Sequence, residues 1–227
     1  MMQLAQPVGQ APNQSRRLHG AGWLVPSLLV APLLESQPPW LTVDTAPAAL
    51  VAAASFFLIT LWPFWPALAG DSPGGRITAR WFGRSVLEVI ILAAIAVPFA
   101  LVAWSVAGRA VHGGPLAACA GGLAMLAMGL RAAAQGMGPR AARWLMLAAM
   151  LATVGPLAVA YAASETMGAT LHQVFEAGPL VVAARLAVDG WPRGTSSEIA
   201  HLAVWPGAGL LLIMVGWWAS RRRGGDG

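Results

Sequence analysis

Few residues in this 227-residue chain have the chemistry to do more than pack. The histidines are His19, His112, His172 and His201, and the single cysteine is Cys119. No Cys/His group has metal-ligand spacing. Haem held in a helix bundle would need two histidines facing each other at membrane depth. His19 stands in a polar tail and the other three stand in or beside loops, so all four read as surface or interface residues. Ser164, Glu165 and His172 could be drawn as a hydrolytic set, but no Gly-x-Ser-x-Gly, His-Glu-x-x-His or P-loop sequence accompanies them. The turn Asp71-Ser72-Pro73-Gly74-Gly75 is glycine-rich, yet the Lys-Ser/Thr of a phosphate cradle does not follow it. No catalytic residue, metal or cofactor is expected, and the chain reads as a non-enzyme. Glu88 remains. It lies four residues after Arg84, and a local ion pair at the membrane edge is its simplest reading. An ionisable residue deeper in a membrane would be a functional candidate by default.

The elements that carry these residues are set by composition. The chain is 57% hydrophobic and 10% charged, against about 25% charged in soluble domains. Its mean hydropathy is +0.64. These values predict an all-α, polytopic integral membrane helix bundle, because runs of this length in lipid must satisfy their backbone internally. Apolar runs place about six spans, at residues 21–34, 47–69, 85–107, 115–134, 144–163 and 201–220. Together they form one transmembrane domain over residues 21–223. Residues 1–20 form a disordered cytoplasmic tail and 224–227 a short one. The first run is only 14 residues and holds Pro26 and Pro32, so it either spans a thinned bilayer or lies in the interface. No small-residue cleavage site follows it before Pro38, and no cleaved signal peptide is expected.

Other details refine these spans. The cluster Trp62-Pro63-Phe64-Trp65-Pro66 fits an aromatic belt that closes the second span. Small residues Ala120, Gly121 and Gly122 suit close helix approach in the fourth span, which Arg131 ends. Pro156 marks a kink in the fifth. Residues 177–188 are apolar but too short to cross, and predict an amphipathic helix on or dipping into the outer interface.

The basic residues orient this bundle. All 14 are arginine, and the pI is near 11.2. In a soluble protein such a pI would point to nucleic acid; here the arginines sit at span ends, so no nucleic-acid partner is expected. With six spans, eleven of the 14 share one side: Arg16, Arg17, Arg76, Arg80, Arg84, Arg131, Arg140, Arg143, Arg221, Arg222 and Arg223. Arg109, Arg185 and Arg193 take the other, with six of the nine acids. The positive-inside rule therefore puts both termini in the cytoplasm.

Six spans, an arginine-bearing first cytoplasmic loop and a long outer segment with a short apolar helix before the last span form a recognisable plan. The closing stretch runs from Pro179 through HLAVWPGAGLLLIMVGWWASRRR, and Trp81-Phe82-Gly83-Arg84 opens the third span. Over roughly residues 46–223 the chain resembles the permease subunit of type-2 ABC export transporters. The resemblance implies a multi-pass protein of the inner (cytoplasmic) membrane. It implies a separate ATP-binding subunit and a second permease copy or homologue as partners, with a hydrophobic or amphipathic substrate. The ATPase contact would then be the loop carrying Asp71, Arg76, Arg80 and Arg84, which is shorter than the family's. The alternative is a non-catalytic membrane anchor or assembly subunit of a larger complex, for which small-residue helix faces are suited. An intramembrane enzyme or haem protein is the third class.

Overall fold

The structure, a computed structural model, describes residues 45–68, 77–108, 110–167, 178–189 and 196–223. The expected 21–34 span, both tails, Asp71 and Arg76 lie outside the described residues. Every described element is helical: α1 (Ala46–Phe56), α2 (Ala79–Ala107), α3 (Gly113–Met137), α4 (Pro139–Met167), α5 (Pro179–Val188) and α6 (Ser196–Arg223). Beyond α1 the chain continues helically through a π turn at Phe57–Leu61, a 3₁₀ turn at Trp62–Phe64 and a last α turn at Trp65–Leu68. Five segments are long and apolar enough to cross a bilayer: Ala46–Phe64, Ala79–Ala107, Gly113–Met137, Pro139–Ala163 and Leu202–Arg223. The chain is a multi-pass membrane protein. Its outward faces are apolar accordingly, with Ile90, Leu101, Leu151 and Leu211 all more than half exposed.

The expected boundaries shift at three places. The apolar run places the third span from Ser85, but α2 starts nearly two turns earlier, at Ala79. Thr78 caps it there: its Oγ1 accepts from the Trp81 N–H at 3.3 Å. Arg80 and Arg84 therefore lie on helix and not on loop. The fourth span does not end at Arg131, because α3 runs on to Met137. The loop expected over residues 135–143 shrinks to a single residue. Gly138, at φ +90°, turns the chain directly into α4, a conformation glycine adopts without a Cβ clash.

The bundle is organised around α3, whose main partner is α6. Cβ atoms added at Gly129 or Gly136 would collide with the backbones of Gly209 and Gly216, and those at Gly209 and Gly216 with the Met125 and Ala132 backbones. A Cβ added at Gly122 would meet Trp205 and Pro206 at 3.5 Å. The contacting positions of α3 are thus Gly122, Met125, Gly129, Ala132 and Gly136, a seven-residue repeat of steps three and four. Trp205, Gly209 and Gly216 answer it on α6. Contacts that rise together along both chains make the helices parallel. A strict period of seven keeps the seam facing its partner through a left-handed supercoil. Where lipid removes the hydrophobic drive between helices, such backbone approach supplies the packing energy. The seam ends where the Arg223 guanidinium covers Gly138, 2.7 Å from where a Cβ there would sit.

The short helix α5 is a core element. Leu180, Val182, Ala183, Leu186 and Ala187 are buried and none of its residues is exposed. It packs chiefly on α1 and α3, so protein and not lipid covers the faces expected to lie in the interface.

Candidate functional site

The distorted end of α1 positions the site. Pro63 has no N–H to offer the Ile59 carbonyl four residues back. The chain adapts by widening: the Trp62 N–H reaches back five residues to the Phe57 carbonyl, and a 3₁₀ turn follows. Thr60 Oγ1 donates to the Phe56 carbonyl at 2.6 Å within the same stretch. Such a π turn shifts the phase of the helix. Its effect is to aim Trp62 and Phe64 inward, where they are 0% and 1% exposed. The aromatic-belt expectation is corrected for these two residues: they are core. The belt role falls to Trp217 and Trp218 on α6, 42% and 53% exposed. Arg221 and Arg222 stack over them at 3.8 and 3.6 Å from the ring centroids.

Inside, Trp62 faces a charge. The Arg131 guanidinium lies 4.5 Å from its ring centroid. Arg131 Nη1 donates to Glu88 Oε2, across from α3 to α2. Glu88 Oε1 accepts from Arg84 Nε at 3.2 Å. The local Arg84–Glu88 pair is present as expected, but it is half of a larger cluster. Its other half is Arg131, whose side chain is only 9% exposed, against 56% for Arg84. Arg131 drew no notice in the sequence beyond ending a span, since its partner lies 43 residues away on another helix.

The cluster is rich in donors and short of acceptors. Glu88 is the only acid on α1, α2 and α3, and two guanidiniums share it. Arg131 Nε, Trp62 Nε1 and Trp65 Nε1 are buried without a hydrogen-bond partner among the described residues. Leaving a buried donor unpaired costs about 1–3 kcal/mol.

Directly beyond the cluster, α1, α2 and α3 enclose an apolar cleft of about 280 Å³. Phe57, Leu58, Val89 and Leu92 belong to both: they line the cleft and pack against Trp62 and Met128. Alanines open the space, with Ala54 of α1, Ala96 and Ala100 of α2, and Ala120 and Ala124 of α3 on its walls. At the far end Trp104 lines the cleft, 2% exposed and with its Nε1 likewise unpaired. Val89 and Trp104 are fifteen residues apart on α2, about 22 Å of helix. Cys119 lies on the cleft wall. Away from this cleft, α2 and α3 meet sparsely, so the Glu88–Arg131 pair is their principal tie at the arginine-rich end.

Of the residues expected to contact an ATPase, Arg80 and Arg84 project from the first two turns of α2 and are exposed. Asp71 and Arg76 lie outside the described residues. His112 is exposed at the opposite end, beside the start of α3. Among the described residues, no three His, Cys, Asp or Glu side chains gather as a metal site would require. Comparison with protein-family models, with curated proteins and with solved structures gives no match.

Proposed function

We propose that this chain is the membrane-spanning permease subunit of an ABC-type exporter in the inner (cytoplasmic) membrane. It is non-catalytic itself and moves a hydrophobic or amphipathic substrate when a separate ATP-binding subunit drives it. A second permease copy or homologue completes the pathway. The observation that carries this reading is the apolar cleft between α1, α2 and α3, near whose arginine-rich end the Glu88–Arg131 pair ties α2 to α3. In this reading that end faces the cytoplasm, following the charge bias.

Coupling has a physical route. A soluble subunit pressing on the start of α2 meets Arg80 and Arg84, and Arg84 is tied through Glu88 to α3. Moving α2 moves the tie between two of the helices that line the cleft. The alternative, a membrane anchor or assembly subunit, draws on small-residue faces that could join other helices. The glycine face of α3 is taken up inside the chain by α6, which leaves that alternative with less to stand on.

The test is co-purification from the native membrane. Replacing Arg76 and Arg80 by Glu is expected to release the ATP-binding subunit or to lower its ATPase rate. If every partner stays bound and the rate is unchanged, the coupling role of this region is wrong.

A further inference from the structure

Five exposed arginines stand at one end of the molecule with no carboxylate to meet them. Arg140 and Arg143 lie at the start of α4, and Arg221, Arg222 and Arg223 close α6. The two groups adjoin. Arg223 Nη1 and Nη2 lie 2.7 and 2.8 Å from where a Cβ on Gly138 would sit, and Arg140 follows Gly138 by two residues. None of the five takes part in an ion pair among the described residues. The acids of α4 and α6 are Glu165 and Glu198. They stand 22 residues from Arg143 and 23 from Arg221, about 33 Å of helix or more. Asp71 and Asp226 lie outside the described residues. Arg140 and Arg143 also sit at the positive end of the α4 dipole, which favours an anion there and opposes a cation.

Two of these guanidiniums are turned back toward the bilayer. Arg221 stacks on Trp217 at 3.8 Å and Arg222 on Trp218 at 3.6 Å, each ring one turn earlier in α6. An arginine at a span end ordinarily carries its charge outward to water. Here each spends one face on an indole and remains exposed. The two rings are themselves about half exposed and stand where tryptophans mark the membrane interface. The charge is thus held at headgroup depth, beside lipid. We propose that the start of α4 and the end of α6 form a site for an anionic phospholipid of the surrounding bilayer. Arg221, Arg222 and Arg223 take its phosphate, Arg140 stands beside it, and Trp217 and Trp218 meet its glycerol-ester region. Phosphate matches the guanidinium fork in charge and in geometry. The site is on the outer surface of the bundle, so lipid reaches it by lateral diffusion. It rests on the membrane-spanning fold and not on the transport reading.

The full chain in a nonionic detergent is titrated with dioctanoyl phosphatidylglycerol, with dioctanoyl phosphatidylcholine and with glycerol phosphate. Bound copies are counted by native mass spectrometry. Phosphatidylglycerol is expected to bind at least about fivefold more tightly than phosphatidylcholine, the worth of one arginine beside an anionic headgroup. Glycerol phosphate, which brings the anion without the acyl chains, is expected not to bind in the same range.

Arg221→Gln, Arg222→Gln and Arg223→Gln should each weaken phosphatidylglycerol by about fivefold. Arg80→Gln removes the same charge from the start of α2 and should leave the affinity unchanged. Trp217→Leu combined with Trp218→Leu keeps every charge and removes the stacking. It should weaken phosphatidylglycerol, which a diffuse attraction to positive charge would not do. Should that pair not fold, Arg222→Lys asks the same question, since it keeps the charge and gives up the planar stack. Equal binding of the two lipids overturns the proposal, as does a loss in Arg80→Gln as large as that in Arg222→Gln. Unchanged binding in the stacking variant, or glycerol phosphate binding as tightly as the lipid, overturns it too. Each of these results leaves the ATPase-coupling test of the transport reading untouched.

Discussion

Arg131 carries its charge into a place where Glu88 and the face of Trp62 are what meet it. Removing one member of such a buried pair leaves the other uncompensated, at a cost of about 3–5 kcal/mol, whereas replacing both with apolar groups is often close to neutral. Arg131→Met is therefore expected to destabilise the protein by about 3 kcal/mol or more. Glu88→Met combined with Arg131→Met should lose clearly less. Denaturant unfolding in detergent, followed by circular dichroism, compares the two, and a double variant worse than the single would contradict the pairing. Arg84, mostly solvated, should matter little in the same assay, as surface pairs do. The sequence made the Arg84–Glu88 half of the cluster readable through its four-residue spacing. The Arg131 half was hidden because it depends on two helices meeting at the right height, and a lone arginine late in an apolar run looks like a span end. Trp62 was misread for a related reason: a tryptophan among prolines resembles an interfacial anchor until the π turn is known to swing it inward.

At the level of helices, the α3–α6 seam discriminates sharply between neighbouring glycines. Gly129 faces the Gly209 backbone, while Gly121 has nothing within 4 Å of a built Cβ. Gly129→Val should force the helices apart and cost on the order of 3 kcal/mol, at the upper end of overpacking effects. Gly121→Ala should be neutral or stabilise by up to about 1 kcal/mol, the helix-propensity gain. Thermal unfolding of the two variants checks both directions, and equal effects would mean that the seam is not a close backbone contact. The helix content and all five long spans were legible from apolar runs, since no other structure suits lipid. The start of α2 was missed because arginines in a first turn oppose the helix dipole, which hid the cap at Thr78. The burial of α5 was missed because ten apolar residues look the same whether protein or lipid covers them. The glycine repeat was present in the sequence as a seven-residue spacing, but only a matching repeat eighty residues on gives it meaning.

Across the whole molecule, aromatic and charged side chains divide into two ends. Arg140, Arg143, Trp144, Trp217, Trp218 and the last arginines of α6 gather at one, with Tyr161, Val111 and His112 at the other. If these ends face opposite sides of a bilayer, single cysteines will report it. In a Cys119→Ala background, Val111→Cys should react with an impermeant maleimide on intact spheroplasts, and Arg222→Cys only after permeabilisation. Labelling of both from one side would refute the orientation. The seam between α3 and α6 also fixes an order of events during synthesis. Gly129 leaves the ribosome eighty residues before Gly209, the partner it touches. For that interval α3 presents to the lipid a bare strip of backbone that hydrocarbon tails cannot approach as another helix does. The nascent bundle is thus adhesive until α6 is delivered. A chain cut between α4 and α6 would keep that strip open, a natural recognition mark for membrane quality-control proteases.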